Sequence, residues 1–123
     1  MTQPLALVLY ERLLPGTQLV NRLQDIGYRV QIIHNPAQLV SSAEQDKPLV
    51  VFADLESTKG SVSEAISKLK QNTATKHLPV VAFAGDNQTE LTSAAERAGG
   101  IITGEAALLH HLPQVLDQAI QLD

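Results

Sequence analysis

The feature of this sequence that most constrains its fold is a fivefold alternation of short apolar runs with amphipathic segments. The apolar runs are rich in Val, Ile and Leu, as is typical of strands that are buried on both faces of a parallel sheet. We therefore predict five strands. They span residues 5–10, 28–34, 49–54, 79–84 and 100–103.

The segments between and after these runs have the periodicity of helices. Apolar residues recur there at spacings of three and four, which gives each helix one stripe to bury. Ser61 with Glu64, and Asn87 with Glu90, have the spacing of helix-capping boxes. Strands that alternate with helices form right-handed βαβ units around a parallel sheet. The predicted fold is a single α/β domain over residues 1–123, a flavodoxin-like (βα)5 three-layer sandwich with strand order 2-1-3-4-5.

Composition excludes several classes of function. The 123 residues include no cysteine, which removes disulfides and thiolate chemistry. The formal charge of -4 argues against binding to nucleic acid or to an anionic membrane, because both need clustered Lys and Arg. No apolar run is long enough to span a bilayer, and the first residues lack the form of a signal peptide. We expect a soluble, cytoplasmic protein.

One acidic residue, Asp54, ends the third predicted strand. In open α/β sheets this carboxyl edge is where ligands bind. Glu11 follows the first strand and should lie at the same edge, so Glu11 and Asp54 are candidates for an acidic pocket. Two simpler interpretations stay open. Asp54 can be a strand-terminal acid that accepts backbone N–H groups, and Glu11 can be a solvated loop charge.

Three stretches of the sequence resemble a known family. They are Leu-Val-Val-Phe-Ala-Asp at 49–54, Lys-His-Leu-Pro-Val-Val-Ala-Phe-Ala at 76–84 and Ala-Ala-Glu-Arg-Ala-Gly at 94–99. In their order and spacing, and over nearly the whole chain, they are similar to the receiver domains of two-component response regulators. The resemblance implies the flavodoxin-like fold and a role in phosphorelay signal transduction.

The resemblance also shows which chemical groups are missing. Receivers hold Mg²⁺ with two acids after strand 1, phosphorylate an aspartate after strand 3, and use a hydroxyl after strand 4 and a lysine after strand 5. Asp54 matches the phosphoacceptor. The other positions are degenerate: the acid pair aligns with Tyr10 and Glu11, the hydroxyl with Ala84, and the lysine with Gly104, or with Glu105 after a one-residue shift. No lysine follows Lys76 that could restore the last position.

Three hypotheses about function follow. The first is a pseudo-receiver, a non-enzymatic module that acts by protein–protein interaction and without phosphorylation. The second is a working phosphoacceptor with atypical metal ligation, in which Glu11 alone holds the metal and Lys59 swings in from its loop. The third is a small flavodoxin-like ligand-binding subunit. We expect no cofactor, and at most weak Mg²⁺ binding. Isolated or adjacent histidines, such as His110 and His111, are interpreted as surface residues rather than metal ligands.

The partner surface is predicted from the apolar residues at the end of the chain. The last helical pattern is broader than one core-facing stripe requires. Its apolar residues are Leu108, Leu109, Leu112, Val115, Leu116, Ala119, Ile120 and Leu122. We therefore predict that the face formed by helix 4, strand 5 and helix 5 carries a protein partner or a self-association contact.

Overall fold

The computed structural model describes residues 3–121 and contains one five-stranded parallel sheet. Its strand order is β2-β1-β3-β4-β5, so the predicted order and the parallel direction are both confirmed. Each strand lies within one or two residues of its predicted bounds. The strands are β1 (Leu5–Leu9), β2 (Arg29–Ile33), β3 (Val50–Asp54), β4 (Val80–Ala84) and β5 (Ile101–Gly104).

Helices cover both faces of the sheet. They are α1 (Leu13–Asp25), α2 (Leu39–Asp46), α3 (Val62–Gln71), α4 (Thr89–Ala98), α5 (Glu105–His110) and α6 (Leu112–Gln121), with a 3₁₀ turn at Pro36–Gln38 before α2. None of these helices combines the length and the apolar character that crossing a membrane requires.

Two apolar layers, one on each face of the sheet, form the core. Alternate residues of a strand point to opposite faces, so Leu7 and Val51 belong to one layer and Val8 and Phe52 to the other. The first layer contains residues of α2, α3 and α4, and the second contains residues of α1, α5 and α6. Strands β3 and β4 are buried along their whole length. The predicted three-layer architecture is therefore confirmed.

The chain after β5 differs from the prediction. Instead of one helix, α5 and α6 meet near His111. Leu108, Leu112 and Leu116 are all buried in the core. The apolar pattern is broad because two helices with different axes each bury a stripe, which a single helix could not do.

Two capping predictions had different outcomes. Ser61 caps α3, because its hydroxyl accepts a hydrogen bond from the backbone N–H of Glu64 at 3.2 Å. The box of Asn87 and Glu90 is wrong. Helix α4 begins later, at Thr89, and Asn87 lies in the preceding turn with a φ of +67°. Asparagine tolerates this left-handed conformation, so at this position it favours a turn as strongly as a cap.

Candidate functional site

Asp54 ends β3 at the carboxyl edge of the sheet, and its side chain is completely buried. A buried carboxylate is stable only if its oxygens find partners. One oxygen accepts the backbone N–H of Glu56 at 3.1 Å. This contact is the backbone role that was considered for Asp54 from the sequence, but it is not the main one.

Arg12 is the main partner of Asp54. Its Nε donates to one carboxylate oxygen and its Nη2 to the other, both at 2.9 Å. Such a bidentate contact between guanidinium and carboxylate is stronger and more directional than an ion pair with a single hydrogen bond. Arg12 is the residue immediately before α1, and 42 residues separate it from Asp54. Sequence reasoning missed this residue.

Two more carboxylates reach the same guanidinium. Nη1 of Arg12 lies 3.1 Å from Glu56, and Nη2 donates to Glu105 at 2.7 Å. Glu56 also accepts the backbone N–H of Gly85 at 2.7 Å, which connects the loop after β4 to the group. We call Arg12, Asp54, Glu56 and Glu105 the arginine cluster. It ties together the loops that follow β1, β3, β4 and β5.

These contacts and the burial of the cluster shift the pKa values of Arg12 and Asp54. Partial burial of Arg12 disfavours its charged form, but its hydrogen bonds to Asp54 and Glu105 outweigh this effect and raise the pKa of the guanidinium. Burial raises the pKa of Asp54 above its usual range, while the bonds from Arg12 and from the Glu56 backbone oppose the rise. The arrangement is an acidic pocket that is filled by the protein's own cation.

Glu11 lies at the same carboxyl edge of the sheet as Asp54 but binds different groups. Its carboxylate accepts the backbone N–H of Thr58 at 2.6 Å, together with the hydroxyls of Thr58 and Ser57. These bonds, led by the Thr58 hydroxyl, lower the pKa of Glu11. Glu11 therefore fastens the loop after β1 to the loop after β3.

The remaining degenerate positions carry no polar chemistry toward Asp54. Tyr10 is buried, and its ring packs edge-to-face on His34 with centroids 5.0 Å apart. Its ring also covers Gly16 so closely that a Cβ there would overlap it. Ala84 is a buried methyl group at the end of β4, and Gly104 ends β5 just before Glu105. Of the two residues that align with the receiver lysine, the second contributes a carboxylate to the arginine cluster.

Metal ligands are also sparse. Within residues 3–121, no group of three or more His, Asp or Glu side chains has an arrangement that could hold a metal ion. His110 and His111 are exposed, in agreement with their interpretation as surface residues.

Comparison with known proteins gives a clear result for the fold. No family model matches the sequence, and a search of curated proteins found no significant match. Solved structures, however, match over almost the full chain. The chain has the fold of a response-regulator receiver domain.

Three structures illustrate this similarity to receiver domains. A candidate response regulator from Chloroflexus aurantiacus is 14% identical with a TM-score of 0.88, and the match covers 98% of this chain and 99% of that one. The receiver domain of a sensor histidine kinase from Pseudomonas aeruginosa, whose cleft coordinates magnesium, is 17% identical with a TM-score of 0.87 over 98% and 99%. The chemotaxis response regulator CheY4 of Vibrio cholerae is 17% identical with a TM-score of 0.76 over 93% and 99%.

The contacts of Glu11 predict a pH dependence. Because the folded protein lowers the pKa of Glu11 below its ordinary value of 4.5, ionised Glu11 stabilises the fold above that pH. This stabilisation should be lost as the pH falls through the lowered pKa. We expect Glu11→Gln to be less stable than the native protein at pH 7, and the gap to narrow at pH 3. Urea unfolding of both proteins at the two pH values measures it, and a gap independent of pH would contradict this role.

Proposed function

We propose that the chain is a signal-transduction module of receiver fold that acts through protein–protein interaction and without phosphorylation of Asp54. The observation that supports this proposal most is the bidentate contact between Arg12 and Asp54. A carboxylate acts as a nucleophile only if the incoming phosphorus can reach one of its oxygens. Both oxygens of Asp54 are held by Arg12, and its side chain is completely buried.

Charge also opposes a phosphorylated state. A phosphoryl group would bring additional negative charge beside Glu56 and Glu105. Receiver chemistry offsets that charge with a metal ion and with a lysine after strand 5, where this chain has Gly104 and Glu105. A carboxylate in that region repels the phosphoryl oxygens that an ammonium would attract.

Magnesium, which the fold family implies, does not fit the residues present. Mg²⁺ prefers carboxylate oxygens in a near-octahedral arrangement. The oxygens of Asp54 are engaged by Arg12, and those of Glu11 by Ser57 and Thr58. The guanidinium of Arg12 is the cation in contact with Asp54. The proposed function therefore involves no divalent metal.

Phosphorylation can be tested directly by mass spectrometry. We expect the protein, incubated with acetyl phosphate and Mg²⁺, to keep its unmodified intact mass, because Asp54 is paired and lacks its supporting cations. A receiver domain with all five family residues, treated in parallel, verifies the phosphodonor. A stable phosphoryl adduct that is absent from Asp54→Asn would instead support the working phosphoacceptor.

For the partner surface we propose the predicted face of helix 4, strand 5 and helix 5, which is formed by α4, β5 and the two helices α5 and α6 into which the predicted last helix divides. β5 is an edge strand with partly exposed residues, so it presents unpaired backbone groups. Leu91 in α4 and Ile120 in α6 are each 36% exposed. Of the apolar residues from which this face was predicted, Leu108 is buried, Leu109 is half-buried, and Leu122 lies outside the described residues.

This surface can be tested with one exposed apolar residue and a matched control. We expect Ile120→Glu to abolish self-association or partner capture, because a charge would then have to be buried in the contact. Ile32→Glu, at a residue of similar exposure on the opposite edge strand β2, should leave it intact. Solution mass and partner pull-down are the measurements. If Ile120→Glu folds normally and loses neither property, the contact lies elsewhere.

A further inference from the structure

A cavity of about 280 Å³ lies at the amino edge of the sheet, opposite to the edge that carries the arginine cluster. The end of α2 forms one wall, and the loop between α3 and β4 forms the other. Pockets for small molecules typically have volumes of roughly 300–1,000 Å³, so this cavity suits a ligand near the lower end of that range. The first wall includes Ala43, Glu44 and Lys47, and the second includes Ala74, His77 and Leu78.

The cavity has a buried apolar lining and walls that are joined to each other. Ala43 and Leu78 are 2% and 4% exposed and belong to the first core layer. Asn72 joins the walls, because its Nδ2 donates to Oε2 of Glu44 at 3.2 Å and its Oδ1 accepts the backbone N–H of Ala74 at 2.9 Å. The cavity is therefore largely preformed, as is usual for sites that bind small molecules.

Two opposite charges line the cavity but do not pair with each other. Glu44 and Lys47 lie three residues apart, a spacing at which oppositely charged side chains on a helix commonly interact. Within residues 3–121 no ion pair joins them, and the Lys47 ammonium forms no hydrogen bond. Asn72 binds Oε2 of Glu44, whereas Oε1 accepts no hydrogen bond in the same part of the chain. The cavity thus offers a cation and an acceptor oxygen at separate positions.

Lys47 has a backbone conformation that favours glycine. It is the C-cap of α2, with a φ of +51°. Glycine is the usual residue at such a left-handed helix end, because a Cβ disfavours this conformation. The fold therefore gains nothing from a lysine here. A residue held in an unfavourable conformation beside a cavity indicates a role in binding.

We propose that this cavity binds a free α-amino acid with an apolar side chain. The ammonium of the ligand binds Oε1 of Glu44, and its carboxylate binds the Lys47 ammonium. Its side chain covers the apolar lining at Ala43 and Leu78. This site goes beyond the proposed function, because it lies at the opposite edge of the sheet from Asp54 and includes no residue of the partner surface.

Other small ligands fit the cavity less well. A purely anionic ligand would meet the Glu44 carboxylate, and a purely cationic one would meet the Lys47 ammonium. A charged side chain on the amino acid would place that charge against the buried apolar lining, which is unfavourable. In the described part of the chain, no three His, Asp or Glu side chains are arranged to hold a metal ion.

Calorimetric titration with amino acids and their analogues tests the proposal. The probes are leucine, valine and phenylalanine, and we expect at least one of them to bind. Its amide, which lacks the carboxylate, and its N-acetyl form, which lacks the ammonium, should each bind at least about tenfold more weakly. Serine, which lacks the apolar side chain, should do the same. Amide chemical shifts should change at residues 43–48 and 72–78.

Matched variants connect binding to the two charges. Lys47→Gly should raise the Tm by about 3 °C, because glycine suits the left-handed C-cap, and should weaken binding about tenfold or more. A loss of binding in a more stable protein cannot result from unfolding. Glu44→Gln keeps an oxygen for Asn72 but loses the charge, and should weaken binding to a similar extent. Lys76→Ala, at an exposed lysine of the same loop that does not line the cavity, is the control and should bind normally.

Three results would overturn the proposal. The first is that none of the three probes binds at about 10 mM, which is weaker than any specific site requires. The second is equal binding of an amino acid and its N-acetyl form. The third is a Lys47→Gly variant that binds as tightly as the Lys76→Ala control.

Discussion

Arg12→Ala should destabilise the domain by about 3 kcal/mol, near the lower end for breaking a buried ion pair because the Arg12 side chain is 30% exposed. The substitution leaves Asp54 buried with only the Glu56 backbone N–H as a partner. It also leaves Glu56 and Glu105 to repel Asp54 without a cation between them. Urea unfolding at pH 7 measures the loss.

Two controls show whether the cluster is responsible. Arg22→Ala, at an exposed arginine of α1, should cost less than about 1 kcal/mol. Arg12→Lys keeps the charge but loses the bidentate contact, so its loss of stability should lie between those of Arg12→Ala and Arg22→Ala. If Arg12→Ala were no more harmful than Arg22→Ala, the cluster would have no structural role.

Acidification should reduce the loss in Arg12→Ala. Burial raises the pKa of Asp54 already in the native protein, and removal of Arg12 takes away the main group that opposes this rise. A carboxyl whose pKa is higher in the folded than in the unfolded protein favours folding at low pH, and this contribution is lost as the pH rises through the folded pKa. The gap between variant and native protein should therefore shrink from pH 7 toward pH 5.

Gly16→Ala should also destabilise the domain by about 3 kcal/mol, although alanine is the better helix former by about 1 kcal/mol. The added methyl group would overlap the ring of Tyr10, which is 5% exposed and is held between Gly16 and His34. Neither the ring nor the helix can move without disturbing the loop that positions Arg12. Thermal and urea unfolding measure the effect.

A second glycine provides the control for this steric argument. Gly104→Ala places its methyl group in open space at a φ of -73°, so stability should be unchanged or slightly higher. In addition, Tyr10→Ala combined with Gly16→Ala should cost less than the sum of the two single changes, because the overlap is gone. Strict additivity in this double variant would contradict the proposed packing.

Under the proposed function, the carboxyl edge of the sheet keeps the receiver geometry without phosphoryl transfer. Asp54 ends the third strand, and an arginine from the first loop binds it. The resemblance aligns the lysine of receivers with Gly104 or Glu105, and Glu105 binds the same arginine. The arginine thus supplies beside Asp54 the positive charge that a lysine supplies in receivers.

Sequence alone determined the architecture because hydrophobic pattern and connection rules act locally and repeat. Five apolar runs separated by helical stripes leave few arrangements, and the right-handed crossover selects among them. The position of Asp54 at the end of β3 followed from the same pattern. The split of the last helix into α5 and α6 did not, since apolar spacing does not show where a helix axis turns.

The site itself was decided by tertiary structure. Two adjacent charged residues, Glu11 and Arg12, follow β1, and the sequence cannot tell which of them turns toward Asp54. The loop conformation decides this, because it directs Glu11 to Ser57 and Thr58 and Arg12 to the buried carboxylate. Glu105 lies 93 residues from Arg12 along the chain, and only the closing of β5 beside β4 brings it within hydrogen-bonding distance. The hydrophobic pattern of the sequence determines which edge of the sheet carries the charges. The direction of each side chain depends on contacts between residues that are distant in sequence.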